Sequence, residues 1–374
     1  MLRPEKDLHK CLISSPARLI AEYDEFNLLI THAFPGINDS VLRVTQREEN
    51  PFSRYYYVCV FRIALPELAE GVVVPDHSHI GNLISIALSI FYGKRFDNHG
   101  VIESHGRFSM PLLSDVTPTM QYYYFGSNNH QPRKNLSIEL DLRNCKPIID
   151  FLINKPNDQL KQTFFTAGKF YLSSLQSVDT DMEKAFLDLV TCGEILSNYF
   201  HYSEDEIYDS RLKEIFEKLI EKEVNQKDIE LIKSRLYQVR ARFNLTFKRL
   251  LNKHFFDKTE SLEEFTRLTS ENIESCIKSV YDLRSKYVHA GIDFGHWLVP
   301  SRSIMNEIQL GTPVVEDKEL RKILSKVPTY IGLERAMRFA LLRLLHINNI
   351  YIHTELDNDV APRASPPTGS LPNW

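Results

Sequence analysis

An arginine and a histidine five positions apart, Arg284 and His289, form the most chemically suggestive pair in this sequence. They lie in ENIESCIKSVYDLRSKYVHAG, Glu271 to Gly291. At about 100° per residue, Ile273, Ile277, Val280, Tyr287 and Val288 share one helical face, and Arg284 falls about 20° from Ile273, in the centre of that apolar stripe. A guanidinium stays charged and is costly to bury, so it needs a carboxylate partner or must line a functional cleft. Gly291 reads as the residue that closes the helix. His289 then sits at the helix end, where the dipole favours the imidazolium and lifts its pKa toward neutrality. A guanidinium offers paired donors to phosphoryl oxygens, and an imidazole moves protons near neutral pH.

The string Arg284-Ser-Lys-Tyr-Val-His289-Ala-Gly resembles the R-x4–6-H motif of HEPN (higher eukaryotes and prokaryotes nucleotide-binding) domains, most of all the Apea-like HEPN branch. Arg3 to His9 and Arg249 to His254 satisfy the same spacing, but Arg3 lies in a charged leader and Arg249 falls off its apolar stripe of Phe243, Phe247 and Leu250. A second stretch, Phe186 to Leu196, is similar to the family's early acid-bearing helix, with Glu194 on the flank of its apolar stripe as the natural partner of Arg284. Ser285 stands where many HEPN enzymes carry Asn, Asp or His, and Gly193 stands where the family pattern has Leu. The resemblance covers roughly 158–352.

The resemblance implies a metal-independent endoribonuclease whose two motif copies meet at a homodimer interface, with Arg284, His289 and Glu194 catalytic and Ser285, Lys286 and Tyr287 supporting RNA contact. It also implies a role in bacterial anti-phage defence, abortive infection or toxin-like growth arrest. A base would take the proton of a ribose 2′-OH, the oxygen would attack phosphorus, and an acid would protonate the leaving 5′-oxygen. On one uninterrupted helix Arg284 and His289 point about 140° apart. A partner subunit, or a helix that ends at His289, is therefore required. The rival reading is a non-catalytic HEPN module that binds RNA, nucleotide or protein, with a structural Arg284–Glu194 pair.

Other candidates carry less. His77 and His79 (PDHSH), with His99 and His105, match no metal spacing and read as loop residues, so neither metal nor other cofactor is expected. The basic run Lys233, Arg235, Arg240, Arg242, Lys248, Arg249 and Lys253 reads first as a solvated helix face. Tyr55 to Tyr57 and Tyr122 to Tyr124 read as packing rather than base stacking. No Walker A loop, G-x-G-x-x-G or G-x-S-x-G occurs.

The elements that must position these residues divide by periodicity. Period two marks Leu136–Leu142, Tyr55–Ile63, Gln121–Phe125 and Gly71–Val74 as strands, interrupted by one helix at His79–Lys94. Residues 1–154 thus read as a mixed α+β sensor or recognition domain, where a phage or protein trigger would act. From Pro156 the period becomes 3.6, and 155–354 read as an all-α HEPN-like bundle with a helical insertion at about 203–258. Ser203 with Glu206 opens a helix to about Glu223, a longer one covers Lys227–His254, Ser261 with Glu264 caps the next, and the last runs Gly332–Ile352. Residues 355–374 are Pro- and Ser-rich and are expected to be disordered. A 374-residue chain with 45 Lys+Arg against 49 Asp+Glu, net charge −4, excludes a uniformly basic nucleic-acid binder. Five scattered cysteines and a charged amino terminus fit a cytoplasmic protein, and no apolar run approaches membrane-span length.

Overall fold

A computed structural model describes residues 6–33, 54–64, 77–109, 121–154, 158–236 and 238–356. The sheet is built on β1 (Lys6–Ser15), which pairs antiparallel along its whole length with β4 (Tyr55–Ala64), Cys11 opposite Cys59. The β-branched and aromatic run YYYVCVFRIA suits a pleated, half-buried surface, as expected for that segment. With β2 (Tyr23–Glu25), β3 (Leu28–His32), β5 (Asp97–Ser104) and β6 (Arg107–Phe108), the order is β2-β3-β4-β1-β5-β6, antiparallel throughout. Helix α1 (Ser78–Tyr92) packs on β1 and β5, burying Ile84, Leu88 and Phe91. It ends at Gly93, φ 63°, where a Cβ would lie 2.6 Å from Nε of Arg338, so both backbone and space require glycine.

The helical region follows as α2 (Lys146–Ile153), α3 (Asp158–Ser177), α4 (Met182–Ser197), α5 (Glu204–Ile207), α6 (Ser210–Glu221), α7 (Gln226–Arg235), α8 (Val239–Leu250), α9 (Lys253–Asp257), α10 (Ile273–Ala290), α11 (Lys318–Leu324) and α12 (Tyr330–Ile347). The main apolar core runs from the sheet through α1 and α3 to α12, and a second, small cluster holds Ile207, Tyr208, Phe216 and Ile229. In α12 every residue from Tyr330 to Leu345 is buried, including Glu334, Arg335, Arg338 and Arg343. Glu334 and Arg335 meet opposite charges inside the protein, and Arg338 is met by backbone carbonyls. Arg133 grips Glu334 with two bonds of 2.9 and 2.6 Å and reaches Glu260 at 2.9 Å. Arg335 lies 2.8 Å from both carboxylate oxygens of Glu307. Arg338 donates to the carbonyls of Ile90, Phe91, Asn135 and Leu136, tying α12 to the end of α1.

Several expected elements differ. Leu136–Leu142 alternates buried and exposed through Leu136, Ser137, Ile138 and Glu139, yet it joins no ladder beyond one bridge of Asp141 with Ile20. Gln121–Phe125 is a turn whose rings stack on Tyr330 through Phe125 rather than a strand. Gly71–Val74 and most of 355–374 lie outside the described residues. The Ser203–Glu206 capping box forms, but Asp209 caps a new helix by accepting from Leu212 N, which splits the expected stretch. The long Lys227–His254 helix is three helices, broken at Gln238 (φ 44°) and at Asn252, which caps α9. Ser261 caps no helix, because its hydroxyl bonds Glu263 O and Thr266 Oγ1 instead. No helix among the described residues is long and apolar enough to cross a membrane.

Candidate functional site

Helices α4 and α10 bring Glu194 and Arg284 together, with Nε of Arg284 3.4 Å from Oε1 of Glu194 and its guanidinium 6.0 Å from the Tyr281 ring. The expected partnership therefore forms, in a half-buried site: the side chains are 28% and 19% exposed. Arg284 is not at the centre of the buried face. The residues that α10 buries are Cys276, Ile277, Ser279, Val280 and Leu283, a stripe centred roughly 70° from Arg284, while Val288 is exposed. The small polar Ser279 and the soft Cys276 belong to the packed face, which rotates it away from the arginine. Burial pushes the Glu194 carboxyl above its ordinary value, and the Arg284 charge opposes that shift.

The departure at Gly193 has a packing reason. A Cβ there would lie 2.5 Å from Cε2 of Phe243 on α8 and 2.9 Å from Cε of Met337 on α12. Glycine lets three helices close around the residue next to Glu194.

Gly291 ends α10 in the left-handed conformation, φ 63°, donating to Tyr287 O. Glu183 of α4 fixes the chain beyond it by accepting from Phe294 N (2.6 Å) and Gly295 N (3.0 Å). Phe294 packs against Phe186 and Tyr287. Tyr287, expected to support RNA contact, is thus half-buried in this packing.

His289 lies in the last helical turn and is exposed. It lines a groove of about 880 Å³ with Ser285, Lys286, Lys278, Lys322 and Lys326. Acids line the same groove, but Glu274, Asp282 and Glu319 are each paired, with Lys278 at 2.6 Å, Arg240 at 2.6 Å and Lys286 at 2.5 Å. Exposed Lys322 and Lys326 have no carboxylate within ion-pair distance among the described residues. Arg284 is not part of the groove. Because α10 continues past His289, the two motif residues diverge within one chain.

The remaining candidates separate. Arg249 bonds Glu206 and His201 O and covers Tyr202, and Lys233 pairs with Glu204, so this part of the basic run is a paired helix face. Tyr57 is fully buried, donating to Ala17 O and accepting from Leu19 N. Of the histidines read as loop residues, His79 lies in α1 and His99 in β5, where His99 bonds Ser14 Oγ at 2.7 Å. His77 and His105 instead converge with His9, a residue that sequence spacing did not connect to them.

Comparison with protein-family models, curated proteins and solved structures returns no match for this chain.

Proposed function

We propose that the protein is a metal-independent endoribonuclease of the HEPN type, active as a homodimer, with Arg284 and His289 contributed to each site by different protomers. The observation that carries this reading is the half-buried Arg284–Glu194 pair, 3.4 Å apart, with an exposed His289 in the last turn of the helix that bears Arg284. A buried structural ion pair needs short paired bonds to offset the desolvation of its charges, as Arg133 and Glu334 have in this same protein. Arg284 lacks them, and its single long contact leaves guanidinium donors for a phosphoryl oxygen.

In this mechanism His289 takes the 2′-OH proton of RNA, the 2′-oxygen attacks the adjacent phosphorus, and Arg284 stabilises charge on the non-bridging oxygens. The P–O5′ bond breaks as its oxygen takes a proton from water, and the hydroxide so formed takes up the proton that His289 removed. The products are a 2′,3′-cyclic phosphate and a 5′-hydroxyl. Glu194 orients Arg284. Ser285, Lys286, Lys322 and Lys326 give the RNA backbone a polar path beside His289. Growth arrest on expression, relieved by His289→Ala, is the cellular outcome of this reading, and analytical digestion of RNA by the purified chain is its direct test.

The divergence of Arg284 and His289 within one chain favours a second reading, a non-catalytic module that binds RNA along the His289 groove. It predicts RNA binding without cleavage and no effect of Arg284→Ala on growth.

A further inference from the structure

Three histidines distant in sequence meet beside β1, an interior strand of the sheet. His9 belongs to β1, His77 stands at the N-terminal boundary of α1, and His105 occupies the turn between β5 and β6. Their ring centroids are 4.6 Å (His9–His77), 4.9 Å (His9–His105) and 5.9 Å (His77–His105) apart. One ring nitrogen from each lies within 4.8 Å of the others. It is the only group of three or more ligand-type side chains converging in this way among the described residues.

The polar accounting at this point is incomplete. His9 is 1% exposed, and its Nδ1 bonds Ser104 Oγ at 2.9 Å, which leaves Nε2 buried without a hydrogen-bond partner. Nε2 of His105 is also buried and unpartnered. The Asp7 carboxylate borders the same place, with Oδ2 2.7 Å from His105 Nδ1 and 3.9 Å from His9 Nε2. An orphaned buried polar atom destabilises the fold unless something partners it. Stacking of Phe61 on His9 accounts for the packing of the ring, not for its nitrogen.

We propose that His9, His77 and His105 bind one zinc ion, with Asp7 as the carboxylate beside it. Imidazole nitrogens suit zinc, and three of them leave the fourth tetrahedral position for solvent or Asp7. Tetrahedral zinc with bonds of 2.0–2.1 Å holds its ligand nitrogens about 3.3 Å apart, so the rings need only close slightly from their present spacing. A second residue that engages the other ring nitrogen, as Ser104 does for His9, is the usual support of a ligating histidine. The ion would tie β1, the β5–β6 turn and the start of α1 into one unit. This site shares no residue with the Arg284 and His289 machinery and stands independently of that reading.

The test uses the full chain, stripped with chelator and titrated with zinc alone, then with cobalt for its visible absorption. The expected result is one ion per chain, tetrahedral cobalt bands displaced by zinc, and a melting temperature raised by the metal. His77→Ala and His105→Asn should abolish tight binding; asparagine tolerates the left-handed backbone at position 105, φ 50°, and keeps the turn. Asp7→Asn should weaken binding about 10–100-fold. Exposed His79→Ala should change nothing. No stoichiometric binding to the wild type, or unchanged binding in folded His77→Ala and His105→Asn, would overturn the proposal.

Discussion

Phe243 of α8 packs against the bare backbone of Gly193, so closely that a Cβ at position 193 would stand 2.5 Å from its ring. Phe243 is fully buried and cannot retreat, whereas the Met337 methyl on the other side can turn. Gly193→Ala should therefore destabilise the fold by about 1–3 kcal/mol through overpacking. Urea denaturation measures it, and a neutral result would mean that α4 and α8 slide apart freely. Because Glu194 is the next residue, the same variant should also weaken RNA cleavage.

Removing Arg284 should separate function from stability. The pair with Glu194 is partly solvated, so Arg284→Ala should cost only about 1 kcal/mol while cleavage is lost. Destabilisation of several kcal/mol with cleavage retained would make the pair purely structural.

Glu194 also predicts a pH dependence. Its folded-state pKa lies above the ordinary carboxylate value, so the folded state holds the proton more tightly than the unfolded chain. The stability this contributes is complete below pH 4.5 and is lost as pH rises through the folded value. Glu194→Gln should remove that decline, which denaturant midpoints followed upward from about pH 4 would show. A wild-type midpoint that rises over the same interval because of Glu194 would reverse the sign.

The buried network around α12 should be the mechanical centre of the fold. Glu334→Ala takes from Arg133 its two-bonded partner, leaves two buried donors to be met by Glu260 and Gly93 O alone, and should cost about 3 kcal/mol, more than Arg284→Ala. Comparable melting temperatures for the two variants would refute the ranking.

The sequence alone shows some of this order and hides the rest, for identifiable reasons. The Tyr55–Ile63 strand, the Ser203–Glu206 capping box and the Gly291 terminus are local signals, and each matches its element, whereas the helices begin at Lys146, ahead of the change of period near Pro156. Leu136–Leu142 misleads because alternation reports an extended chain over a core, not a neighbouring strand. The buried arginines of α12 were invisible because that helix is enclosed on all sides, so an apolar stripe on one face said nothing about Arg335 and Arg338 opposite. Arg284 reads as central from the sequence because the stripe of Ile273, Ile277, Val280, Tyr287 and Val288 leaves out Cys276, Ser279 and Leu283, which the helix buries. The Glu194–Arg284 pairing was legible from residue type and helix position. The histidine cluster was not, since His9 joins His77 and His105 only through strand pairing and the β5–β6 turn.

Cleavage should persist in EDTA, measured below the melting temperature, and DNA should be inert for want of a 2′-OH. Of the four carboxylates that line the His289 groove, Glu274, Asp282 and Glu319 are held by lysines or Arg240, and among the described residues no three ligand-type side chains converge there. Cleavage of DNA that requires magnesium would contradict this chemistry. EDTA should nonetheless lower the melting temperature if the histidine cluster carries zinc, which separates the two sites in one experiment.

The composite site is tested most directly by subunit mixing. Arg284→Ala and His289→Ala should each be folded and inactive alone, because each dimer lacks one component at both sites. Mixed and allowed to re-pair, they should recover about a quarter of wild-type cleavage, since half the dimers are mixed and each of those holds one intact site. Recovery at that level, with a 2′,3′-cyclic phosphate product, is the result predicted here; a mixture as inactive as its parents, from chains shown to exchange, would contradict it.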